Sequence, residues 1–100
     1  MASGKTSCLS VTIAFCKAAA IAHQLTNCLT EIFFLQAFER AKELDEIFAK
    51  TGKPTGPLFG MPISLKDQFQ IKETECNMGI ASWIGQISEE VCAFSVALSL

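Results

Sequence analysis

Apolar residues in the first quarter of the chain recur with the spacing of a helix. From Val11 to Leu25 they follow i, i+3, i+4 and i+7 positions, which predicts a helix with one buried stripe: Val11, Ala14, Phe15, Ala18, Ile21, Ala22 and Leu25. Ser7 is a suitable N-cap, and Asn27-Cys28 is expected to break the helix. His23, near its end, is interpreted as a polar rim or a partner of the helix dipole rather than a metal ligand.

The same spacing returns in the second quarter of the chain and predicts a second helix. It runs from Leu35 to Lys50, with an apolar stripe made of Leu35, Phe38, Ala41, Leu44, Ile47 and Phe48. The opposite face has the polar character of a solvated helix surface: Gln36, Glu39, Arg40, Glu43 and Glu46. Glu46 and Lys50 are spaced for an i, i+4 pair, and Gly52 is the expected C-terminal stop.

Two short segments carry the alternation typical of strands. Leu29–Phe33 alternates imperfectly, whereas Ile63–Lys66 places apolar and polar side chains on opposite faces. The second segment follows a loop rich in glycine and proline, and Asp67 is expected to end it. Spacing alone leaves two interpretations of Lys66 open. Lys-Asp after a strand is usually a solvated turn, but a lysine held rigidly by such a strand also suits a catalytic role.

A third helix is expected near the end of the chain. Ser88 is placed to cap it, Glu89-Glu90 would interact favourably with its dipole, and Val91–Leu100 carries no charge. The elements then read helix, strand, helix, loop, strand, loop, helix. This order predicts an α/β fold.

The glycine- and proline-framed stretch forms a specific motif, Gly56-Pro57-Leu58-x-Gly60-x-Pro62-Ile63-Ser64-Leu65-Lys66-Asp67. Met78-Gly79 and Ser82-Trp83-Ile84-Gly85 follow it at a defined distance. Together these segments resemble the amidase signature family, especially its fungal acetamidase-type branch. The resemblance runs from about Gly4 to about Glu90, nearly the whole chain.

This resemblance implies a fold and a domain assignment. Residues 1–100 would form one partial amidase domain, the N-terminal fragment of an α/β/α sandwich with a mixed sheet. Within it, residues 56–85 would supply the lysine strand and its loop.

The resemblance also implies a chemistry. Family members hydrolyse the C–N bond of carboxamides with a Ser–Ser–Lys triad, and by position Lys66 is the triad lysine. A desolvated lysine can lose its proton and act as a base, which arginine cannot. In the family the nucleophilic serine, the relay serine and the glycine-rich oxyanion loop lie downstream of the lysine, and this sequence contains neither a Ser-Ser nor a Gly-Gly pair. We therefore expect this chain alone to be inactive. The alternative is a truncated, non-catalytic relic or an interaction fragment that binds another amidase chain.

Four residues depart from the pattern of the branch. Phe59 stands where a histidine is common, and Cys76-Asn77 stands where a Thr-Thr pair is usual. Glu73 stands where the branch has a glycine. Because glycine often serves a backbone position with positive φ, we expect the turn at Glu73 to be strained or remodelled.

Composition limits the classes of partner. Half of the 100 residues are hydrophobic and 18% are charged, which is apolar for a small free-standing domain and indicates surface that further chain covers. The net charge of −2 provides no basic patch, so we expect neither nucleic acid nor an anionic membrane as a partner. No apolar run approaches the roughly eighteen residues of a membrane span, and Lys17 interrupts the N-terminal apolar stretch, which argues against a signal peptide.

The five cysteines indicate a compartment rather than a site: Cys8, Cys16, Cys28, Cys76 and Cys92. They are odd in number, show no C-x-x-C spacing and are accompanied by a single histidine, so no metal site and no cofactor are expected. They are interpreted as reduced, mostly packed thiols, and the predicted localisation is cytoplasmic. The expected partner in an intact enzyme is a small-molecule amide. Unpaired strand edges beside apolar surface also predict self-association.

Overall fold

The computed structural model describes residue 1 and residues 3–89 of the chain. These residues form helix α1 (Cys8–Thr26), helix α2 (Phe34–Thr51) and a short 3-10 helix, Ala81–Trp83. The chain divides into two compact units, Met1–Ile63 and Ser64–Leu100. The predicted helix that follows Ser88 falls on residues 90–100, which lie outside the described residues.

Helix α1 begins and ends where local chemistry predicts. The hydroxyl of Ser7, which has extended backbone angles, accepts a hydrogen bond from the N–H of Ser10 at 3.1 Å. At the other end, Asn27 adopts the left-handed conformation with φ 51°, and its N–H donates to the carbonyl of His23 at 2.7 Å. The imidazole Nδ1 of His23 accepts a bond from the N–H of Leu29 at 3.2 Å, so it serves as a polar partner of the chain leaving the helix.

The buried face of α1 differs from the predicted stripe. Phe15, Ile21 and Leu25 are 54%, 61% and 81% exposed, whereas the buried residues of this helix are Cys8 and Thr12. The helix is apolar on nearly every side, so the positions of its largest side chains do not identify the packed face. Its two buried side chains are small, and Cys8 packs in one cluster with Ala41 of α2.

Helix α2 follows the prediction more closely. The N–H of Gly52, at φ 66°, donates to the carbonyl of Phe48 at 2.8 Å and ends the helix as expected. Ala41 is buried within the predicted stripe, while Leu35 at its beginning is exposed. The predicted polar face is exposed throughout. Its ion pair joins Arg40 to Glu43 at 3.1 Å.

A small core holds the first unit together. It consists of Cys8, Ala41 and Phe59, with Met1, Leu9, Leu44 and Phe48 packed around them. The rings of Phe48 and Phe59 have centroids 5.5 Å apart in a tilted arrangement. Phe59, which departs from the family pattern, is therefore a core residue of this chain.

The predicted α/β fold with a mixed sheet is wrong for the described residues, which contain helices but no strand. Leu29–Phe33 and Ile63–Lys66 are irregular, and a single isolated antiparallel bridge joins Glu75 to Ile87. A strand pattern forms a strand only when a neighbouring strand accepts its backbone hydrogen bonds, and a lone pair of strands is at best marginally stable in water. Here the N–H of Leu29 is bound by a side chain instead.

Helix α1 also corrects the expectation that no segment is long and apolar enough to span a membrane. Cys8–Thr26 meets that criterion by length and composition. The helix continues through Lys17, so this single charge lies inside an apolar helix rather than ending it. The same test is passed by core helices and by signal sequences.

Candidate functional site

Lys66 lies in the second unit, at the beginning of a turn. Its carbonyl accepts a hydrogen bond from the N–H of Phe69 at 3.0 Å, which closes a four-residue turn. The side chain of Lys66 is exposed, and within the described part of the chain its ammonium has no ion pair or hydrogen-bond partner. The structure thus places Lys66 in an irregular segment followed by a turn rather than at the end of a strand.

Asp67 makes two contacts with a segment nine to eleven residues further along the chain. Its carboxylate oxygen Oδ2 accepts a hydrogen bond from the backbone N–H of Met78 at 2.6 Å. Its carbonyl oxygen accepts a bond from the thiol of Cys76 at 3.0 Å. Sequence reasoning assigned Asp67 only the role of ending a strand and missed both contacts, because nothing in the spacing indicates that positions 67 and 78 meet.

The segment that Asp67 binds is a tight turn. Met78 and Gly79 both have positive φ, at 49° and 79°. The side-chain oxygen of Asn77 accepts from the N–H of Gly79 at 3.1 Å, and the carbonyl of Asn77 accepts from the N–H of Ile80 at 2.7 Å. Cys76 and Asn77, which replace the usual Thr-Thr pair, thus both supply hydrogen bonds to this region.

Glu73 adopts the conformation that its place in the family pattern predicts. Its φ is 66°, in the left-handed region that glycine enters most easily. Its N–H donates to the carbonyl of Ser88 at 2.9 Å, and the N–H of Ser88 donates to the carbonyl of Thr74 at 2.9 Å. The expectation of a strained turn is confirmed at the level of the backbone.

An open cleft of about 690 Å³ lies beside these turns in the second unit. Its apolar lining comprises Phe69, Met78, Trp83 and Ile87. Three glutamine side chains supply much of its polar lining: Gln68, Gln70 and Gln86. Ser88 and the charged residue Glu89 also line the cleft, which is open to solvent and mixed in polarity.

The thiol of Cys8 is unsuited to nucleophilic chemistry. Burial, the hydrogen bond to Asp45 and the negative charge of Asp45 together raise the pKa of the Cys8 thiol to about 11. Burial also raises the pKa of Cys16. The four described cysteines are free; Cys8 is buried, Cys16 and Cys76 are half-buried and Cys28 is exposed, in agreement with the expectation of mostly packed thiols. Among the described residues, no three His, Cys, Asp or Glu side chains are grouped as metal ligands.

Residues 10–97 match the family model described as Amidase. The chain belongs to the amidase family. It is 52% identical over 89 residues to an acetamidase of Emericella nidulans and 50% identical over 86 residues to an acetamidase of Aspergillus oryzae. It is 56% identical over 79 residues to an amidase of Gibberella moniliformis. No solved structure matches the chain significantly.

These amidases are much longer than the matched segment. The matches cover 89%, 86% and 79% of this chain, but 16%, 16% and 15% of the three relatives. The comparisons confirm the resemblance to fungal amidases. The matched span contains Lys66, Asp67 and the turn at Met78.

Proposed function

We propose that this chain is part of an amide hydrolase for small carboxamides, in which Lys66 is the lysine of a Ser–Ser–Lys triad. The observation that carries the proposal is the Gly56–Asp67 motif within a chain about 50% identical to two proteins named acetamidases. In the proposed enzyme, further chain must desolvate the exposed side chain of Lys66 for it to act as a base. Within the described residues its ammonium is unpaired. It therefore has no competing partner there.

In the proposed reaction, residues 1–100 supply the catalytic lysine, and the other catalytic groups come from outside them. One serine attacks the carbonyl carbon of the amide, and a second serine passes the proton of the first to the neutral amine of Lys66. The proton then goes to the leaving amine, and water releases the acid from the acyl-enzyme. In this proposal the serines and the oxyanion donors come from outside these 100 residues, because the sequence has neither the Ser-Ser nor the Gly-Gly pair that the resemblance leads us to expect.

The first test uses the chain alone. A triad acts as a unit, and without the nucleophile and oxyanion donors we expect no hydrolysis of acetamide by the purified 100-residue chain. Turnover by this chain that exceeds turnover by its Lys66→Ala variant would contradict the expectation.

The second test restores the missing groups. Residues 10–97 would replace the matching segment of the Emericella nidulans acetamidase, and hydrolysis of acetamide by this chimaera would be measured. We expect Lys66→Ala to lower turnover by several orders of magnitude, because loss of one triad member removes most of the triad's contribution. Lys72→Ala is the matched control, since Lys72 is also an exposed lysine of the second unit. If the Lys66→Ala chimaera is as active as the control, the proposed role of Lys66 is wrong.

A non-catalytic interaction fragment is the second candidate. It is favoured by large exposed apolar side chains on α1, among them Phe15, Ile21 and Leu25. The two candidates differ in whether coding sequence beyond Leu100 supplies two triad serines. Sequencing of the transcript past this codon therefore distinguishes them.

A further inference from the structure

We propose that Asp67 is the positioning residue for Lys66, and that it acts by fastening the Lys66–Asp67 peptide to the turn at Cys76–Met78. The inference rests on the proposed catalytic role of Lys66. It adds a residue that does not touch the substrate but determines where the lysine lies.

Three hydrogen bonds restrain two consecutive residues. The Lys66 carbonyl is held by the N–H of Phe69 at 3.0 Å, and the Asp67 carbonyl is held by the thiol of Cys76 at 3.0 Å. The Asp67 carboxylate is held by the N–H of Met78 at 2.6 Å. Two of these bonds join the pair to residues nine and eleven positions away, so they fix the peptide relative to another part of the unit.

The bond to Met78 is the shortest of the three. It is short and has an ionised acceptor, and such charge-assisted bonds are roughly twice as strong as neutral ones. Met78 also has a positive φ of 49°, a conformation that a non-glycine residue keeps only where its surroundings enforce it. Asp67 on one side and the Asn77–Gly79 hydrogen bond on the other provide that enforcement.

The Asp67 carboxylate bonds to Met78 and not to the Lys66 ammonium, which suits a lysine that acts as a base. A carboxylate next to an ammonium group stabilises the charged form of the lysine and opposes loss of its proton. In this chain Oδ2 of Asp67 bonds to Met78, and within the described residues no ion pair joins Asp67 to Lys66. Asp67 thus holds the lysine in place through the backbone without serving as its counter-ion.

The first experiment measures the contact itself in the acetamidase chimaera described above, by amide hydrogen exchange followed with mass spectrometry at single-residue resolution. We expect Asp67→Asn to speed exchange of the Met78 amide by about tenfold, because a neutral amide oxygen replaces the charged acceptor of its hydrogen bond. The Ser88 amide, which donates to Thr74 within the same unit, should keep its protection. Glu75→Gln, the matched removal of a carboxylate, should leave Met78 unchanged. Unaltered Met78 exchange in Asp67→Asn, or equal loss of protection at Ser88, would overturn the proposal.

The second experiment is a double-mutant cycle in the acetamidase chimaera described above. If Asp67 acts through Lys66, Asp67→Asn lowers kcat at least tenfold in the Lys66 background and changes it little in the Lys66→Ala background. A purely structural role would lower kcat equally in both backgrounds and would contradict the proposal. Asp67→Glu, which keeps the charge, should recover part of the lost kcat. The failure of the proposed function can be told apart from the failure of this inference. If Lys66 is not the triad base, the Lys66→Ala chimaera keeps its turnover, but Asp67→Asn still speeds exchange of the Met78 amide.

Discussion

Three residues other than glycine have positive φ angles in the described structure: Asn27, Glu73 and Met78. Asn27 is explained by its place at the end of α1, since asparagine tolerates the left-handed conformation that ends helices. Glu73 and Met78 have no such intrinsic preference, and both lie in the segment that follows Lys66. Strain of this kind is concentrated where the surrounding structure requires a specific backbone path.

Replacing Glu73 by glycine is expected to stabilise the second unit. The left-handed conformation costs a residue other than glycine about 1–2 kcal/mol, and glycine avoids this cost. Glycine in turn loses about 0.5–1 kcal/mol more conformational free energy on folding, because it is freer in the unfolded chain. Glu73→Gly should therefore gain roughly 0.5–1 kcal/mol, measured as slower exchange of the Ser88 amide that pairs with Thr74. Lys72→Gly is the control, because Lys72 has no positive φ and should only lose stability. Equal effects of the two substitutions would show that the φ of Glu73 carries no strain.

Sequence could predict some single-residue features and not others. The conformation at Glu73 was predictable because a glycine position carries information about the backbone. The burial of Phe59 was not, because its neighbour Phe48 belongs to a different element. The contact of Asp67 with Met78 was unpredictable for the same reason, since it depends on a chain reversal with no local signal.

At the scale of elements, the first unit depends on one carboxylate that joins its two helices. Asp45 of α2 accepts hydrogen bonds from the N–H groups of Cys8 and Leu9 at 2.7 and 3.0 Å, and so caps the beginning of α1. Burial by itself raises the pKa of Asp45, but the bonds from Leu9 and Cys8 outweigh it and hold the pKa below its ordinary value. Cys8 shows the opposite displacement, to about 11.

The pKa shifts of Asp45 and Cys8 predict that the packing of α1 against α2 is less stable at both low and high pH. The lowered pKa of Asp45 contributes stability above the unfolded-state value, and this is lost as pH falls through the folded pKa. The raised pKa of Cys8 contributes stability below its ordinary value of 9.0, and this is lost as pH rises towards about 11. Helix content measured by far-UV circular dichroism across pH should show both limbs.

Substitutions identify which group causes each limb. Asp45→Asn should remove the acid limb and lower the stability of the pair by about 1–2 kcal/mol, the usual effect of losing a helix cap. Cys8→Ala should remove the alkaline limb. An acid limb that persists in Asp45→Asn would mean that another group titrates there.

Gly60 is expected to be a second point of close contact in the first unit. A Cβ atom at Gly60 would meet the Cys8 sulfur at an impossible distance and lie 3.0 Å from the Met1 sulfur, and its φ is 68°. Gly52 has nearly the same φ of 66° but open space around it. Gly60→Ala should thus cost about 1–3 kcal/mol more than Gly52→Ala, through overpacking alone. Similar losses in urea unfolding of the two variants would contradict close packing at Gly60.

The helices were predictable because their ends are set by local chemistry. Ser7, Asn27 and Gly52 each act on neighbouring backbone groups, and the structure places all three as expected. The buried face of α1 and the two strands depend on partners far away in sequence. The alternation in Ile63–Lys66 predicts which side chains would lie on each face of a strand. It does not show whether a neighbouring strand is present to pair with it.

At the scale of the whole chain, apolar side chains are exposed in both units, including Phe15, Leu25, Ile84 and Ile87. The predicted reason for self-association, unpaired strand edges, is absent from the described residues, but the apolar surface is present. We expect the chain to be partly helical by circular dichroism, to sediment as a mixture of associated species and to lack a sharp thermal transition. A monodisperse monomer with one steep transition would contradict this expectation.

We propose a reason for this exposed apolar surface from the membership of the chain in the amidase family. The chain covers 16% of the length of the Emericella nidulans acetamidase, so most of an amidase of that size lies outside the matched segment. We propose that residues 1–100 are a partial amidase domain whose exposed apolar faces are covered in the complete fold. The composition, half hydrophobic and 18% charged, supports that proposal.

The most direct test of the account is the turnover of the acetamidase chimaera with arginine in place of Lys66. Arginine keeps the positive charge and most of the length of lysine but does not release its proton in proteins. If Lys66 is the proton acceptor, Lys66→Arg is as inactive as Lys66→Ala, several orders of magnitude below the unmodified chimaera. Near-normal turnover by the Lys66→Arg chimaera would show that only the charge is needed, and the assignment of Lys66 as the triad base would be wrong.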